Sequence, residues 1–247
     1  MADVDKALTE ILKLCFDAGP DACPLAKGDA TAESTEKAFY DLLETLKTEP
    51  IPLPPDLIAY NSTFAAKAVD HSGLRSLLHG TLYHPVNFPL LAAGLDALLS
   101  DGGDLETFAK WRDIEGKLLS GVTQNEAQLG VRCSDKDPAT RFEKLEEMGE
   151  IVEEAAAVSK LGGVGAFAYN CAHWSIDAKE RYEGDFKVKT KNPILLTSST
   201  YDPVTPLVSA HNTSASFEGS VVLERTGFGV SDFPPPELCP NGANIAV

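Results

Sequence analysis

Pro193-Ile194-Leu195-Leu196-Thr197-Ser198-Ser199-Thr200-Tyr201-Asp202-Pro203-Val204-Thr205-Pro206 is the stretch whose reading decides the fold. Its first half, 193–199, is a continuous apolar-to-small run of strand length, which predicts a buried parallel strand. Tyr201 to Pro206 is then the loop at that strand's carboxyl end. Residues 206–217 predict a helix, and Ser220-Val221-Val222-Leu223-Glu224 predicts the next strand. The whole unit has the length of a strand–helix–strand crossover, the connection that parallel strands require. Open α/β sheets collect their ligands and catalytic groups at the carboxyl ends of the strands, which makes Asp202 a candidate acid. Pro203 and Pro206 stiffen the loop that would hold it. An aspartate before proline is also common in ordinary turns, and spacing alone leaves both readings open.

Upstream, the pattern is helical. Val4, Leu8, Ile11, Leu12 and Cys15 recur at helical spacing up to Gly19-Pro20. Residues 31–48 place Phe39, Leu42, Leu43 and Leu46 on one face. Pro50, Pro52, Pro54 and Pro55 predict a stiff extended connector. Further amphipathic segments are expected near 71–80, 87–99 and 104–119, punctuated by Pro85 and Gly102-Gly103. Beyond Gly121, Leu129-Gly130-Val131-Arg132-Cys133 predicts a short strand, with Ser134, Asp135 and Asp137 as candidate helix caps. A long helix is expected from about 139 to 160, with Phe142, Leu145, Met148, Val152 and Ala156 as its buried stripe and Glu143, Glu146, Glu147, Glu150, Glu153 and Glu154 as a solvated acidic face.

The charge balance restricts partners. Lys+Arg of 21 against Asp+Glu of 37 gives a formal net charge of -16 over 247 residues. Such a surface repels phosphate backbones and anionic bilayers, so no nucleic-acid or membrane partner is expected. It suits solubility, and it attracts a cationic ligand such as a free amino group. No apolar run approaches the roughly 20 residues of a membrane span. The polar opening Met1-Ala2-Asp3-Val4-Asp5-Lys6 does not read as a signal peptide.

Cys15 and Cys23 flank the Gly19-Pro20 turn at a separation that a disulfide can close, and Cys133 and Cys171 can form a second pair, leaving Cys239 over. Asn61-Ser62-Thr63 and Asn212-Thr213-Ser214 are acceptor sequons for N-glycosylation. With no CxxC and no histidine at ligand spacing from a cysteine, neither a metal site nor a cofactor is expected. Gly163-Val164-Gly165-Ala166-Phe167-Ala168 fits a loose phosphate-loop string but follows a predicted helix, so it reads as a connector. His71, His79, His84, His173 and His211 read by default as surface or packing residues.

Lys191 to Leu207, with Asp202 at its centre, resembles the signature of the C-terminal region of tripeptidyl-aminopeptidase-like (TAP-like) α/β-hydrolases. Cys171 with Trp174, Ala178-Lys179-Glu180-Arg181-Tyr182, and Cys133-Ser134-Asp135 resemble segments upstream in that family. The Cys15, Ala18-Gly19-Pro20, Cys23 pattern resembles the opening of its helical cap, so the likeness spans about 4 to 227. The resemblance implies secreted serine exopeptidases acting at a free amino terminus. It also implies a Ser, Asp, His chain order, with the serine on a Gly-x-Ser-x-Gly elbow. Asp202 matches the acid position. No Gly-x-Ser-x-Gly occurs in the sequence, and Phe228, within Arg225-Thr226-Gly227-Phe228-Gly229-Val230, stands where the family carries its histidine. A phenyl ring shuttles no proton.

The expected architecture is therefore helix-rich α/β: a truncated α/β-hydrolase with a helical cap over 1–125, the last strands and helices of the sheet over 126–227, and a divergent, loop-like tail over 228–247. Three functional readings follow. The first is a hydrolase-family protein that does not hydrolyse as this chain. The second is a repurposed lyase, isomerase or cyclase using a cap pocket. The third is a binding protein for a peptide or small molecule with a free amino group. An exposed sheet edge would also invite self-association.

Overall fold

In the computed structural model, the described residues are 3–58, 67–100, 103–119, 125–137, 141–142, 144–162, 170–230 and 245–246. Among the described residues, the helices ahead of the sheet include α1 Val4–Asp17, α2 Ala32–Thr45, α3 His71–Leu82, α4 Phe88–Leu99, α5 Leu105–Leu119, α6 Asn125–Asp135 and α7 Met148–Val158. A two-residue antiparallel ladder, β1 Ile51–Pro52 with β2 Ala68–Val69, lies between α2 and α3. The main sheet follows, with β3 Leu195–Tyr201, α8 Leu207–Ser214, β4 Val221–Phe228 and β5 Ile245–Ala246.

The helices form because their apolar residues repeat at helical spacing and their ends are capped. Along α1, Val4, Leu8, Ile11 and Leu12 are buried on one face. α2 starts at a reciprocal cap in which the Ser34 amide donates to Thr31 Oγ1 (3.1 Å) and the Thr31 amide donates to Ser34 Oγ (2.9 Å). α3 starts at Asp70, whose Oδ1 accepts from the Gly73 amide at 2.7 Å. One continuous core joins α1 to α5 and includes Leu8, Leu12, Phe39, Leu46, Leu74, Leu78, Leu82, Leu91, Leu95 and Trp111. Trp111 sits so close to α4 that a Cβ on Gly94 would run into its ring, so that position takes only glycine.

The sheet has the order β3-β4-β5. β3 and β4 are parallel, in register from Leu195 opposite Val221 to Ser199 opposite Arg225, with a shift before Tyr201 meets Phe228. β5 pairs antiparallel with β4 through Ile245 and Ala246. α8 crosses between the two parallel strands and packs on both. The anticipated strand–helix–strand unit is thus present. Two disulfides, Cys15–Cys23 and Cys133–Cys171, close as the spacing suggested. Among the described residues, no helix is long and apolar enough to cross a membrane.

Several expectations are corrected. The 129–133 run is not a strand but the end of α6, where Cys133 turns inward to its disulfide while Val131 stays exposed. A five-residue apolar run is too short for periodicity to separate strand from helix. Of the helix expected from 139, the described residues show a 3-10 turn at Leu145–Glu147 and an α-helix from Met148 to Val158. Its anticipated buried stripe fails at Val152 and Ala156, which are exposed, while Glu146, Glu147, Glu150, Glu153 and Glu154 do form a solvated face. The proline connector is extended as anticipated at β1 and departs from that only in a 3-10 turn at Pro55–Leu57. β3 is buried only at Ser198 and Ser199, and Leu195 is 61% exposed. The tail is not wholly loop, because Ile245 and Ala246 join the sheet. The Gly163–Ala168 string, the Asn61 sequon and Cys239 lie outside the described residues.

Candidate functional site

Asp202 follows the last residue of β3, and its side chain is fully buried. Its carboxylate is held by its own loop. Oδ1 accepts from the amides of Val204 (2.9 Å) and Thr205 (2.8 Å), and Oδ2 accepts from Thr205 Oγ1 at 2.7 Å. Pro203 follows with no amide hydrogen of its own, so the next two amides are free to turn inward. Three donors on one buried carboxylate compensate much of its lost hydration.

The same device recurs elsewhere. Asp5, on α1, accepts from Ser159 Oγ (3.0 Å), the Lys160 amide (2.8 Å) and the Leu161 amide (3.0 Å). That aspartate fastens the first helix to the segment leaving α7.

Around Asp202 the sheet end is closed by aromatic rings. Phe228 stacks on Tyr201 with centroids 4.8 Å apart and meets Phe88 edge-on at 5.7 Å. Lys6 Nζ lies 5.2 Å from the Tyr201 centroid on the ring face. Gly229 then passes so near α3's exit that a Cβ there would lie 2.7 Å from the Pro85 ring and 2.9 Å from the Tyr83 carbonyl oxygen. Its φ of 80° is also one that glycine tolerates best. Tyr83 feels this proximity: burial first, and then the Asp202 charge, push its phenol above the ordinary range.

The hydroxyls preceding Asp202 are committed. Ser198 Oγ donates to the Thr205 carbonyl at 3.2 Å. Ser199 Oγ accepts from Arg225 Nε (3.2 Å) and Nη2 (2.8 Å), and Arg225 Nη2 also donates to the Phe228 carbonyl at 3.0 Å. Thr200 Oγ1 donates to Glu224 Oε1 at 3.0 Å. The guanidinium thus ties the carboxyl ends of β3 and β4 together.

None of the histidines reaches Asp202 with a hydrogen bond among the described contacts. His79 meets the edge of Tyr83 at 5.4 Å, its Nε2 is buried without a partner, and burial, with the charge of Arg75, lowers its affinity for a proton. His173 lies against Phe142 at 6.3 Å. His71 opens α3, and His211 lies on the exposed side of α8. Among the described residues, no three His, Cys, Asp or Glu side chains gather as metal ligands.

A second buried acid, Glu115, was not singled out by the sequence because it looks like one more carboxylate on an amphipathic helix. The residue has no exposed surface. Asn87 Nδ2 donates to its Oε1 at 2.8 Å, while Oε2 has no partner. Desolvation raises its pKa, opposed by the nearby Thr81 hydroxyl, by the hydrogen bond from Asn87 and by the charge of His84. Thr81 itself accepts from Trp111 Nε1 at 2.8 Å and donates to the Leu77 carbonyl at 2.9 Å. This polar chain pins α3, α5 and the turn before α4 together.

Residues 161–243 match the family model described as TAP-like protein. That segment is therefore similar to the C-terminal region of TAP-like α/β-hydrolases. It contains β3, Asp202, α8 and β4, and it leaves α1 to α7 outside the match. No curated protein matches the chain.

Proposed function

We propose that this chain is a hydrolase-family protein that does not hydrolyse by itself, and that Asp202 serves it as a loop anchor. What carries the reading is the surroundings of Asp202: three donors from its own loop, and a ring, Phe228, packed against Tyr201 and Phe88 where the family resemblance expects a histidine. An acid in a catalytic triad orients a histidine that accepts the serine proton. Here no histidine bonds to Asp202 among the described residues, Ser198 and Ser199 are engaged with Thr205 and Arg225, and the sequence holds no Gly-x-Ser-x-Gly elbow. Asp5 supports the reading, since it performs the same anchoring task far from any such constellation.

The test is turnover. Purified chain is incubated with aminoacyl and tripeptidyl chromogenic substrates, and no hydrolysis above buffer is expected. Turnover that disappears in Asp202→Asn would contradict the proposal.

A second reading, ligand binding by the cap, is favoured by one observation. An apolar cavity of about 160 Å³ lies between α1 and α4, lined by Ile11, Leu14, Cys15, Leu25, Phe88 and Leu91 among others. It opens to solvent, and its apolar lining suits a small apolar molecule. Small apolar compounds that raise Tm in proportion to their concentration would support it, and flat melting curves across such compounds would remove it.

A further inference from the structure

We propose that Asn212 is an N-glycosylation site and that α8 carries the glycan on its solvent side. The inference is independent of whether Asp202 is an anchor or a catalytic acid.

Three observations converge. The first is the sequon itself, Asn212-Thr213-Ser214, which lies wholly within the described residues. The second is geometry. Leu207, Ala210 and Ser214 form the partly buried side of α8, which packs on β3 and β4, whereas Val208, His211, Asn212 and Ala215 are exposed. The Asn212 side chain is therefore exposed among the described residues, on the side of α8 turned away from β3 and β4. Val208, 50% exposed, stands one turn earlier on the same face, four residues away. The apolar face of a first N-acetylglucosamine is well placed to cover it. The third is compartment. Two disulfides, one joining residues 38 apart, belong to a chain that matures where thiols oxidise, and that is also where asparagine-linked glycans are added.

The transfer uses a lipid-diphosphate-linked oligosaccharide as donor and the host's transferase as catalyst. A bond forms between Asn212 Nδ2 and the anomeric carbon of the first N-acetylglucosamine. The bond from that carbon to the diphosphate oxygen breaks, one amide proton is released, and the lipid diphosphate leaves with the electron pair. The transfer precedes complete folding, so the final pairing of Ser214 Oγ with Ser220 Oγ at 2.7 Å does not compete with it.

The test is to express the full chain behind a cleavable secretory leader in a eukaryotic host and to map peptides from cells and medium together. Peptide-N-glycosidase treatment in heavy-oxygen water is expected to convert Asn212 into labelled aspartate. Asn212→Gln is expected to migrate faster than the parent chain by one glycan, while Asn61→Gln leaves the Asn212 glycan in place. Wild-type mapping stands on its own should a variant fail to fold. Disulfide-bonded chain in which Asn212 is unmodified throughout would overturn the proposal.

Discussion

The helices from α1 to α5 and the sheet formed by β3, α8 and β4 solve the burial problem in opposite ways. The helical part hides large apolar side chains: Trp111, Phe39, Leu8, Leu12, Leu78 and Leu95 have essentially no exposed surface. The sheet part hides polar ones. Its fully or nearly buried residues include Ser198, Ser199 and Asp202, while Leu195, Val208 and Val221 stay between 45% and 61% exposed. The helical part is therefore held by apolar burial and close packing. The sheet part depends on hydrogen bonds within its loops and on contact with the helices through Phe88, Lys6 and Pro85. Among the described residues, β3 pairs with a strand on one side only, and an edge of that kind offers unpaired backbone groups to a partner.

The contrast is broken most severely from the helical side. Trp111→Ala should cost about 3–5 kcal/mol, because it empties the contact with Gly94 and leaves the Thr81 hydroxyl without its indole donor. Urea unfolding followed by helical circular dichroism measures it, and a loss below about 1 kcal/mol would mean the core repacks around the gap. Removing the Cys133–Cys171 bridge by serine at both positions should cost about 2–4 kcal/mol, since it closes a loop of 38 residues. That loss should disappear when the parent chain is measured under reducing conditions.

On the sheet side, Asp202→Ala should cost about 1–3 kcal/mol by stranding the Val204 and Thr205 amides. Its signature is local: faster hydrogen exchange at 204 and 205, with helices α1 to α5 unchanged.

The smallest effect concerns Glu115, and its sign is set by pH. Desolvation raises its folded pKa above the ordinary 4.5, so the folded state binds the proton more tightly than the unfolded chain does. Wild-type stability therefore falls as pH rises from about 4.5 through the raised value. Positive charge on His84 acts against that shift by favouring the carboxylate. Glu115→Gln keeps the acceptor for Asn87 and carries no charge. Its Tm should match wild type below pH 4.5 and exceed it modestly at pH 7, and a variant less stable at pH 7 would show that the carboxylate is preferred.

The sequence made the helical part legible because Leu8, Ile11 and Leu12, or Leu42, Leu43 and Leu46, announce one buried face at helical spacing. The β3–α8–β4 unit was equally readable, since Ile194 to Ser199 is a strand-length run and Pro203 and Pro206 punctuate its end. What failed had a physical reason. Residues 129–133 pair a short apolar run with a cysteine whose inward direction is fixed by a disulfide 38 residues away. Val152 and Ala156 continue a helical stripe that finds no cover among the described residues. Glu115 is masked because nothing local distinguishes an acid that will be buried by Thr81 and Asn87 from one that faces water. The same holds for Arg225, whose bond to Ser199 depends on strand register rather than on neighbours in sequence.

The central claim, that Asp202 anchors a loop rather than driving a nucleophile, is tested most directly by covalent labelling. Purified chain is treated with a serine-directed fluorophosphonate and its intact mass is read, in parallel with Asp202→Asn. The account predicts the same unlabelled mass for both proteins. A stoichiometric adduct on one serine of the parent chain, lost in Asp202→Asn while that variant keeps its helical spectrum, would contradict it.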